Sequence, residues 1–229
     1  MEENTTKACI VMFVKYPEKG TVKTRLALSL DSDIVLQLYK YFITDLLKMI
    51  SSVGVPTFIF YTPATKEPEL RSWLGPNYRY VPQAGDSLGE RMKSAFAHCF
   101  RDHFEKVIII GSDSPDLPAA LLDGAFTQLA MSDVVIGPTQ DGGYYLIGFQ
   151  RDGFCPEIFD DMQWGTNVVF DRTMQKLKVA SKVIFRLPEW CDIDVIDDVG
   201  ALRERNLHSD FRYSQTMAFL LRHKTILSK

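Results

Sequence analysis

Residues 8–26, ACIVMFVKYPEKGTVKTRL, join an apolar run to a basic loop and are the strongest indication of the fold. The first part of this stretch, Ala8–Val14, is a short apolar run of the kind that forms a buried strand. The rest is a loop in which one proline and one glycine accompany four cations, namely Lys15, Lys19, Lys23 and Arg25. A basic loop at the carboxyl end of the first strand is where α/β proteins bind phosphorylated ligands. We therefore expect an anion site in this loop.

Size and charge limit the functions open to the chain. Its 229 residues, 46% of them hydrophobic, suit one packed domain. The net charge of −3 argues against a partner such as nucleic acid, so the positive charge of the loop is local and suits a small anion. The four cysteines form no C-x-x-C pair, so neither a zinc site nor a disulfide framework is expected. With no secretory signal and no apolar run near the ~18 residues of a membrane span, we expect no transmembrane segment and a cytoplasmic location.

Strand and helix patterns alternate along the chain. Apolar runs predict strands at Ala8–Val14, Pro56–Tyr61, Tyr78–Val81, Lys106–Ile110 and Asp133–Ile136. Apolar residues at helical spacing predict helices at Asp33–Ile50, Leu88–Cys99 and Leu121–Leu129. This alternation favours βαβ units and a largely parallel sheet with helices on both faces.

The pattern changes after Gly137. Tyr144–Phe149 predicts a strand preceded by a Gly-Gly turn, which favours an antiparallel insertion, and Val183–Leu187 predicts a further strand. Helical periodicity over Ser209–Leu227 predicts a tail helix that docks on the domain, forms a homodimer contact or lies on a membrane surface. We therefore divide the chain into a domain of residues 1–206 and a helical tail of residues 207–229.

A carboxylate follows the central apolar run. Asp113 lies in the segment GSDSPD, residues 111–116, directly after Val107–Ile110. Ligands of α/β sheets bind outside the carboxyl ends of the strands, and Mg²⁺ is typically held by one or two carboxylates plus substrate phosphates. We expect Asp113 to hold a metal ion opposite the basic loop, with a turn or cap before Pro115 as the alternative. Asp116 is expected to cap a helix or to support the site from behind.

Two further acidic segments are candidates for the same site. Asp141 precedes Gly142 and Gly143, where the backbone can approach an acceptor closely, and its carboxylate is a candidate for binding hydroxyls or acting as a base. An Asp-Gly hairpin turn is the structural alternative, and both can hold together. Asp192 and Asp194 alternate, so an extended chain places both on one side, where they can share a cation. A solvated acidic turn is the alternative there.

The last motif is a loop that opens into a helix. It is GDSLGERM, residues 85–92, and the helix N-terminus is a candidate anion site with Arg91 reaching a phosphate. The alternative is that Ser87 or Asp86 only caps the helix. Trp164 is a candidate for stacking on an acceptor, although packing is the default for an aromatic side chain.

Taken together, these motifs resemble a bacterial family of glycosyltransferase-like proteins, long known as a domain of unknown function, with the GT-A fold of nucleotide-diphospho-sugar transferases. Similar loops occur in nucleotidyltransferases that make phospholactate-guanosine diphosphate or molybdopterin dinucleotides. The resemblance spans roughly residues 8–205 and rests on the ordered motifs of residues 15–26, 85–92, 111–118, 137–148 and 192–198.

The resemblance implies an α/β class with a single-domain, Rossmann-like α/β/α sandwich and a mostly parallel mixed sheet. It also implies a nucleotide on the N-terminal half and a divalent cation, Mg²⁺ or Mn²⁺, at Asp113. We predict that the nucleotide is bound by Lys15, Pro17, Gly20, Lys23, Thr24, Arg25, Gly85 and Arg91. The acceptor residues are predicted to be Asp141, Gly142, Gly143, Tyr144 and Trp164. The predicted metal ligands are Asp113, Asp192 and Asp194, and the predicted catalytic residues are Lys23, Arg25, Asp113 and Asp141.

Our leading interpretation is a divalent-metal-dependent transferase with a nucleotide or nucleotide-sugar donor and a small-molecule acceptor. In glycosyl transfer, an acceptor hydroxyl attacks a sugar carbon and a nucleoside diphosphate leaves. In the alternative, nucleotidyl transfer, a phosphorylated acceptor attacks the α-phosphate of a nucleoside triphosphate and pyrophosphate leaves. An alternative of another class is a nucleotide-binding sensor that does not catalyse.

Overall fold

One seven-stranded sheet organises residues 7–223, the part of the chain that the computed structural model describes. Its strands are β1 (Ala8–Lys15), β2 (Thr57–Thr62), β3 (Arg79–Pro82), β4 (Lys106–Ile110), β5 (Val134–Pro138), β6 (Tyr144–Gln150) and β7 (Ile184–Arg186). Their order across the sheet is β3-β2-β1-β4-β6-β5-β7. All neighbours are parallel except β6, which runs antiparallel to both β4 and β5. The predicted mixed sheet with a late antiparallel insertion is confirmed.

The reversed strand has a consequence for the edge of the sheet. Strands β1, β4 and β5 end at the same edge because they run parallel, whereas β6 begins there. The tight turn between β5 and β6 therefore lies beside the segments that follow β1 and β4. This is how residues more than a hundred positions apart in sequence reach one edge of the sheet.

Helices cover both faces of the sheet. They are α1 (Ser32–Val53), α2 (Glu67–Leu74), α3 (Leu88–Arg101), α4 (Ala119–Gln128), α5 (Val169–Val179), α6 (Ile196–Arg205) and α7 (Gln215–Arg222). Strand β1 shows why two layers are needed, since its neighbouring buried residues serve opposite faces. Ile10 and Met12 pack in the core layer that contains α1, whereas Cys9 and Val11 pack in the layer that contains α3. The predicted helices on both faces are confirmed.

Three helices are absent from the predictions because their apolar stripes are narrow. Helix α2 buries only Leu70, and α5 buries only Val169, Thr173 and Leu177 on an otherwise polar surface. Helix α6 buries only Val199 and Leu202. Short helices of this kind depend on tertiary packing more than on their own periodicity.

The tail differs from the single helix predicted over Ser209–Leu227. A 3-10 turn covers Asp210–Tyr213, and α7 then begins at Gln215, because the extended Ser214 interrupts the helix and caps it by accepting a hydrogen bond from the Met217 amide at 3.0 Å. Residues 224–229 lie outside the described part of the chain. Met217 and Leu220 are buried in the core layer of α1, so this part of the tail docks on the domain.

Asp45 of α1 holds the tail in place. Its buried carboxylate accepts hydrogen bonds from the backbone amides of Gln215 and Thr216, at 3.0 and 2.8 Å. These are amides of the first turn of α7, which have no partner within the helix. No helix within residues 7–223 is long and apolar enough to cross a bilayer.

We expect Asp45→Ala to lower the free energy of unfolding by about 2–3 kcal/mol, because it removes two hydrogen bonds to a charged group and leaves the buried amide of Thr216 without its partner. Guanidinium denaturation measures the change. Asp123→Ala, an exposed aspartate on α4, is the matched control and should stay within about 0.5 kcal/mol of the wild type. Equal losses in the two variants would show that Asp45 does not anchor the tail.

Candidate active site

A cavity of about 530 Å³ opens at the carboxyl edge of the sheet. The loop after β1, the ends of β2, β3 and β4, and the starts of α3 and β6 all contribute to its wall. Its charged lining residues are Lys15, Lys23, Arg25, Arg91, Asp113 and Asp194. Four cations therefore face one cavity together with two carboxylates, in a protein whose net charge is −3. The predicted anion site and the predicted metal ligand Asp113 share a single cavity.

Lys23 makes the central ion pairs of this cavity. Its ammonium contacts the carboxylate of Asp113 and lies 2.9 Å from Oδ1 of Asp194, while only 4% of the side chain is exposed. Burial by itself lowers the pKa of this ammonium, but the charges of Asp113 and Asp194 outweigh burial and hold the pKa above its ordinary value. Lys23 is thus a permanently charged, buried link between the loop after β1 and two acidic segments.

The rest of the β1 loop is shaped by local contacts. The Lys15 ammonium donates to the backbone carbonyl of Thr21 at 2.8 Å, closing the loop on itself. Pro17 is buried and Gly20 is exposed at the loop tip, and neither lines the cavity. Thr24 and Arg25 do line it, and the Arg25 side chain is 68% exposed, with Nη1 only 3.6 Å from Asp194. The cationic members of the predicted nucleotide set are brought together, whereas its proline and glycine shape the backbone.

Arg91 reaches the cavity from the first turn of α3. Ser87 caps this helix by accepting from the Glu90 amide at 3.2 Å, and Glu90 accepts in return from the Ser87 amide at 3.0 Å. Ser87 thus caps the helix and Asp86 does not, while the anion site at this helix start stays a prediction. Arg91 Nε donates to the carbonyl of Gly85 at 3.0 Å, which holds the guanidinium across the loop. Gly85 has a φ of +124° and a Cβ there would lie 2.5 Å from Glu90 Cβ, so it shapes the loop and does not line the cavity.

A second, smaller cavity adjoins the first. Its volume is about 210 Å³, and it shares Arg25 and Asp194 with the larger one. The other charged side chains in its wall are Asp141, Asp192, Asp198 and Arg205. Arg205 is already paired with Asp116, and Asp198 accepts from the amides of Asp194 and Val195 at 2.8 Å each. Carboxylates therefore outnumber cations in the wall of the second cavity.

Asp192 is the acid of the site whose pKa is raised well above its ordinary value. It accepts a hydrogen bond from Ser114 Oγ at 2.7 Å. Burial, followed by the negative charge of Asp113, raises the pKa of Asp192 to about 7. Asp141 adds to the same repulsion, so these three acids are close enough to interact. At neutral pH a proton or another cation near Asp192 relieves this crowding.

The acids fit a hard divalent cation in their chemistry. Carboxylate oxygens are what Mg²⁺ and Mn²⁺ prefer, and Mg²⁺ is usually bound by one or two carboxylates plus phosphates and water. Within residues 7–223, no three Asp, Glu, His or Cys side chains already surround one cation position. Lys23 occupies the space between Asp113 and Asp194 instead. The donor set fits a metal that shares its coordination with a phosphorylated ligand.

The predicted acceptor residues divide between three places. Asp141 lies in the second cavity, and its Oδ1 accepts from the Gly143 amide at 3.1 Å in the hairpin turn between β5 and β6, which confirms that turn. Tyr144 lines the first cavity. Trp164 stacks on Phe159, with ring centroids 6.5 Å apart, and meets Tyr144 edge-on. Neither aromatic residue lines the second cavity, and the contacts of Trp164 are those of packing.

The structure excludes helix capping, one of the two roles expected for Asp116. Asp116 caps no helix, since α4 begins after Pro118, which provides no side-chain cap. Its carboxylate is 1% exposed and accepts from Arg205 Nε at 2.7 Å, from Arg205 Nη2 at 3.0 Å and from Asn206 Nδ2 at 2.7 Å. The reason is tertiary: the end of α6 packs over the segment after β4, where the buried carboxylate needs cationic and amide donors.

Several residues that line the cavity were not predicted from the sequence. Tyr39, counted only as part of an apolar stripe on α1, hydrogen-bonds Ser112 at 3.1 Å and donates to the Lys15 carbonyl at 3.2 Å. Burial and then the charge of Asp113 raise the pKa of Tyr39 to about 12, so its hydroxyl stays protonated. Thr62 and Gln83 line the cavity from the ends of β2 and β3. Their position just after predicted strands was the signal that could have identified them.

Comparison with known proteins places the chain in a family. The model of DUF2064, described as "Uncharacterized protein conserved in bacteria", matches residues 46–166. A crystal structure from Desulfovibrio desulfuricans G20, provisionally assigned as a nucleotide-diphospho-sugar transferase, is 40% identical and has a TM-score of 0.95, with 97% of each chain covered. No curated protein matched the sequence.

More distant structures share the fold. A nucleotidyl transferase from Methanothermobacter is 13% identical, with a TM-score of 0.58 over 89% of this chain and 99% of that one. The Rv0371c protein of Mycobacterium tuberculosis H37Rv, in complex with manganese, is 17% identical, with a TM-score of 0.52 over 87% of this chain and 99% of that one. At such identities the likeness concerns the fold alone.

Gly142 tests whether the hairpin glycines serve the backbone. Its φ is +88°, and a Cβ would lie 2.1 Å from the carbonyl oxygen of Asn167. We expect Gly142→Ala to destabilise the protein by at least about 1–3 kcal/mol, because backbone strain adds to a clash with backbone atoms. Gly124→Ala on α4, where a Cβ meets open space, should instead stabilise it by about 0.5–1 kcal/mol. Thermal and guanidinium unfolding measure both, and an unchanged stability of Gly142→Ala would contradict the backbone role.

Proposed function

The chain belongs to the DUF2064 family, and we propose that it is a divalent-metal-dependent transferase with a nucleotide donor, of the nucleotide-diphospho-sugar transferase type. The observation that carries the proposal is the cavity of about 530 Å³, in which loop cations face Asp113 at the carboxyl ends of the parallel strands β1 and β4. Ligands of α/β sheets bind at this edge. The provisional assignment of the 40% identical protein is in line with it.

The cations are proposed to bind the phosphates of the donor. Lys15, Arg25 and Arg91 lie at the rim or wall of the cavity, and the guanidinium of Arg25 is well exposed. A guanidinium can donate two parallel hydrogen bonds to one phosphate, whereas an ammonium acts as a point charge. Thr24, on the same wall, offers a hydroxyl donor. These groups would also stabilise the negative charge that develops on a departing phosphate.

The metal is proposed to bind at Asp113, with Asp194 or Asp192 as the second carboxylate. When bound, Mg²⁺ or Mn²⁺ would neutralise charge on the leaving group. Asp113 lies on the cavity wall with a side chain that is 44% exposed, so its carboxylate is open to a ligand. Asp194 belongs to both cavities, whereas Asp192 belongs only to the smaller one, which makes Asp194 the better placed of the two.

The second cavity is proposed to bind the acceptor, and its charge favours glycosyl transfer. Among the described residues, three acids of its wall, Asp141, Asp192 and Asp198, have no cationic partner. Asp198 is already engaged by two backbone amides, which leaves Asp141 and Asp192 for a ligand. They would accept hydrogen bonds from hydroxyl or amino groups and repel a phosphate. A volume of about 210 Å³ corresponds to about seven waters, which is near the size of one sugar ring. Asp141 is the proposed base for the attacking hydroxyl.

Nucleotidyl transfer remains the second candidate, because a nucleotidyl transferase shares the fold and several loop cations suit a triphosphate. The sensor that does not catalyse is disfavoured by the complete set of cations and acids around the two cavities. The cytoplasmic location and the homodimer stay predictions.

Nucleotide binding is the first prediction of this proposal. We expect one or more members of a panel of nucleoside triphosphates and nucleotide sugars to raise the melting temperature with Mg²⁺ or Mn²⁺ present. A ligand at 100 times its dissociation constant stabilises by about 2.7 kcal/mol, which a thermal-shift assay detects. Asp113→Asn should remove the metal-dependent part of the shift.

Arg91→Met should weaken nucleotide binding about tenfold or more, since a charge-assisted hydrogen bond contributes about 1.5–3 kcal/mol. Arg101→Met, an exposed arginine at the end of the same helix, is the control and should bind like the wild type. If no nucleotide of the panel raises the melting temperature, the proposal is refuted. If Asp113→Asn binds nucleotide as tightly as the wild type and the wild type shows no turnover, the sensor is favoured.

The products separate the two reactions. With the nucleotides that bind, matched acceptors such as glycerol and glycerol 3-phosphate are offered and the released species is identified by chromatography. We expect the uncharged acceptors to release a nucleoside diphosphate. Asp141→Asn should lower the rate of transfer about 10²–10⁴-fold with unchanged nucleotide affinity. Asp171→Asn, an exposed acid on α5, is the control. Pyrophosphate released with phosphorylated acceptors would establish nucleotidyl transfer instead.

A further inference from the structure

The ammonium of Lys23 lies where a cation shared by two carboxylates would lie. It contacts Asp113 in the segment after β4, and it lies 2.9 Å from Asp194 in the segment before α6. Those two segments also touch through their backbones, since the Ile193 amide donates to the Asp113 carbonyl at 2.9 Å. Asp113 and Asp194 are thus held as a pair, and the pair already has a positive charge between its members.

Lys23 is built for this position. Its side chain is 4% exposed, whereas Arg25, two residues later in the same loop, is 68% exposed. Its backbone has a φ of +46°, which is uncommon for a residue with a side chain. The backbone of Lys23 is therefore in an unfavourable conformation when the loop directs the Lys23 ammonium to the acids.

We infer that Lys23 is an internal cation that keeps the Asp113–Asp194 pair closed to free divalent metal ions, so that metal is accepted only together with the phosphates of a nucleotide. The inference rests on the proposed function and adds the form in which the ligand is taken, a metal–nucleotide complex. Two carboxylates cannot bind a dication at full strength while an ammonium neutralises half of their charge. A phosphate gives Lys23 a new anionic partner, so the ammonium can leave the acids without losing its ion pair.

The test is a titration of Mn²⁺ alone, followed by the electron paramagnetic resonance signal of the free ion, on the full chain. We expect wild-type protein to bind free Mn²⁺ weakly and Lys23→Met to bind it about tenfold more tightly or better, because a competing charge has been removed from the same oxygens. Lys23→Arg keeps the cation and should resemble the wild type. Lys19→Met, from the same loop but paired with the exposed Asp33, is the matched control and should not change Mn²⁺ binding.

Two outcomes would overturn the inference. One is a Lys23→Met variant that is folded by circular dichroism and binds free Mn²⁺ no better than the wild type. The other is micromolar binding of free Mn²⁺ by the wild type, which decides the question even where the variants fail to fold. Repeating the wild-type titration with UDP or CTP should reveal Mn²⁺ uptake by the protein beyond that of the same nucleotide without protein. Failure of every nucleotide of the thermal-shift panel to bind would count against the proposed function, while the titration without nucleotide still decides the role of Lys23.

Discussion

The parallel pairing of β1 with β4 is the constraint on which the site depends. The two strands are in register from Ala8 opposite Lys106 to Met12 opposite Ile110. Parallel strands end at one edge, so the loop after β1 and the segment after β4 are neighbours although about ninety residues separate them. The apolar residues of both strands are buried in two layers, which prevents a shift of register without exposing one layer.

The ion pair between Lys23 and Asp113 joins, through side chains, the two segments that the pairing of β1 with β4 brings together. This ion pair is shielded from water on the lysine side, and Asp194 extends it to the segment before α6. Asp116, three residues after Asp113, is fastened to Arg205 at the end of the same helix. The segment after β4 is therefore held at two points. A site that must hold opposite charges close together benefits from such rigid supports.

Charge is distributed unequally between the two cavities. The larger one has four cations and two acids in its wall, whereas the smaller one is lined mainly by acids. Arg25 and Asp194 stand between them. This gradient suits a reaction in which a phosphorylated donor and a hydroxyl-bearing acceptor meet at the shared wall. Burial, followed by the negative charge of nearby Asp113, raises the pKa of Asp192 in this acidic region.

The strands, the mixed sheet and the cations and acids at its edge were predictable from the sequence, because apolar periodicity and loop composition are local signals. Lys15, Lys23, Arg25, Arg91 and Asp113 were all found from such signals and line one cavity. The sequence could not determine which side chains pair, since pairing depends on contacts across long separations. The folded chain was needed to show that Lys23 lies between two carboxylates, that Asp116 pairs with Arg205 of α6 and that Trp164 packs against Phe159. The physical reason is that burial and ion pairing belong to neighbours in space, whereas periodicity belongs to neighbours in sequence.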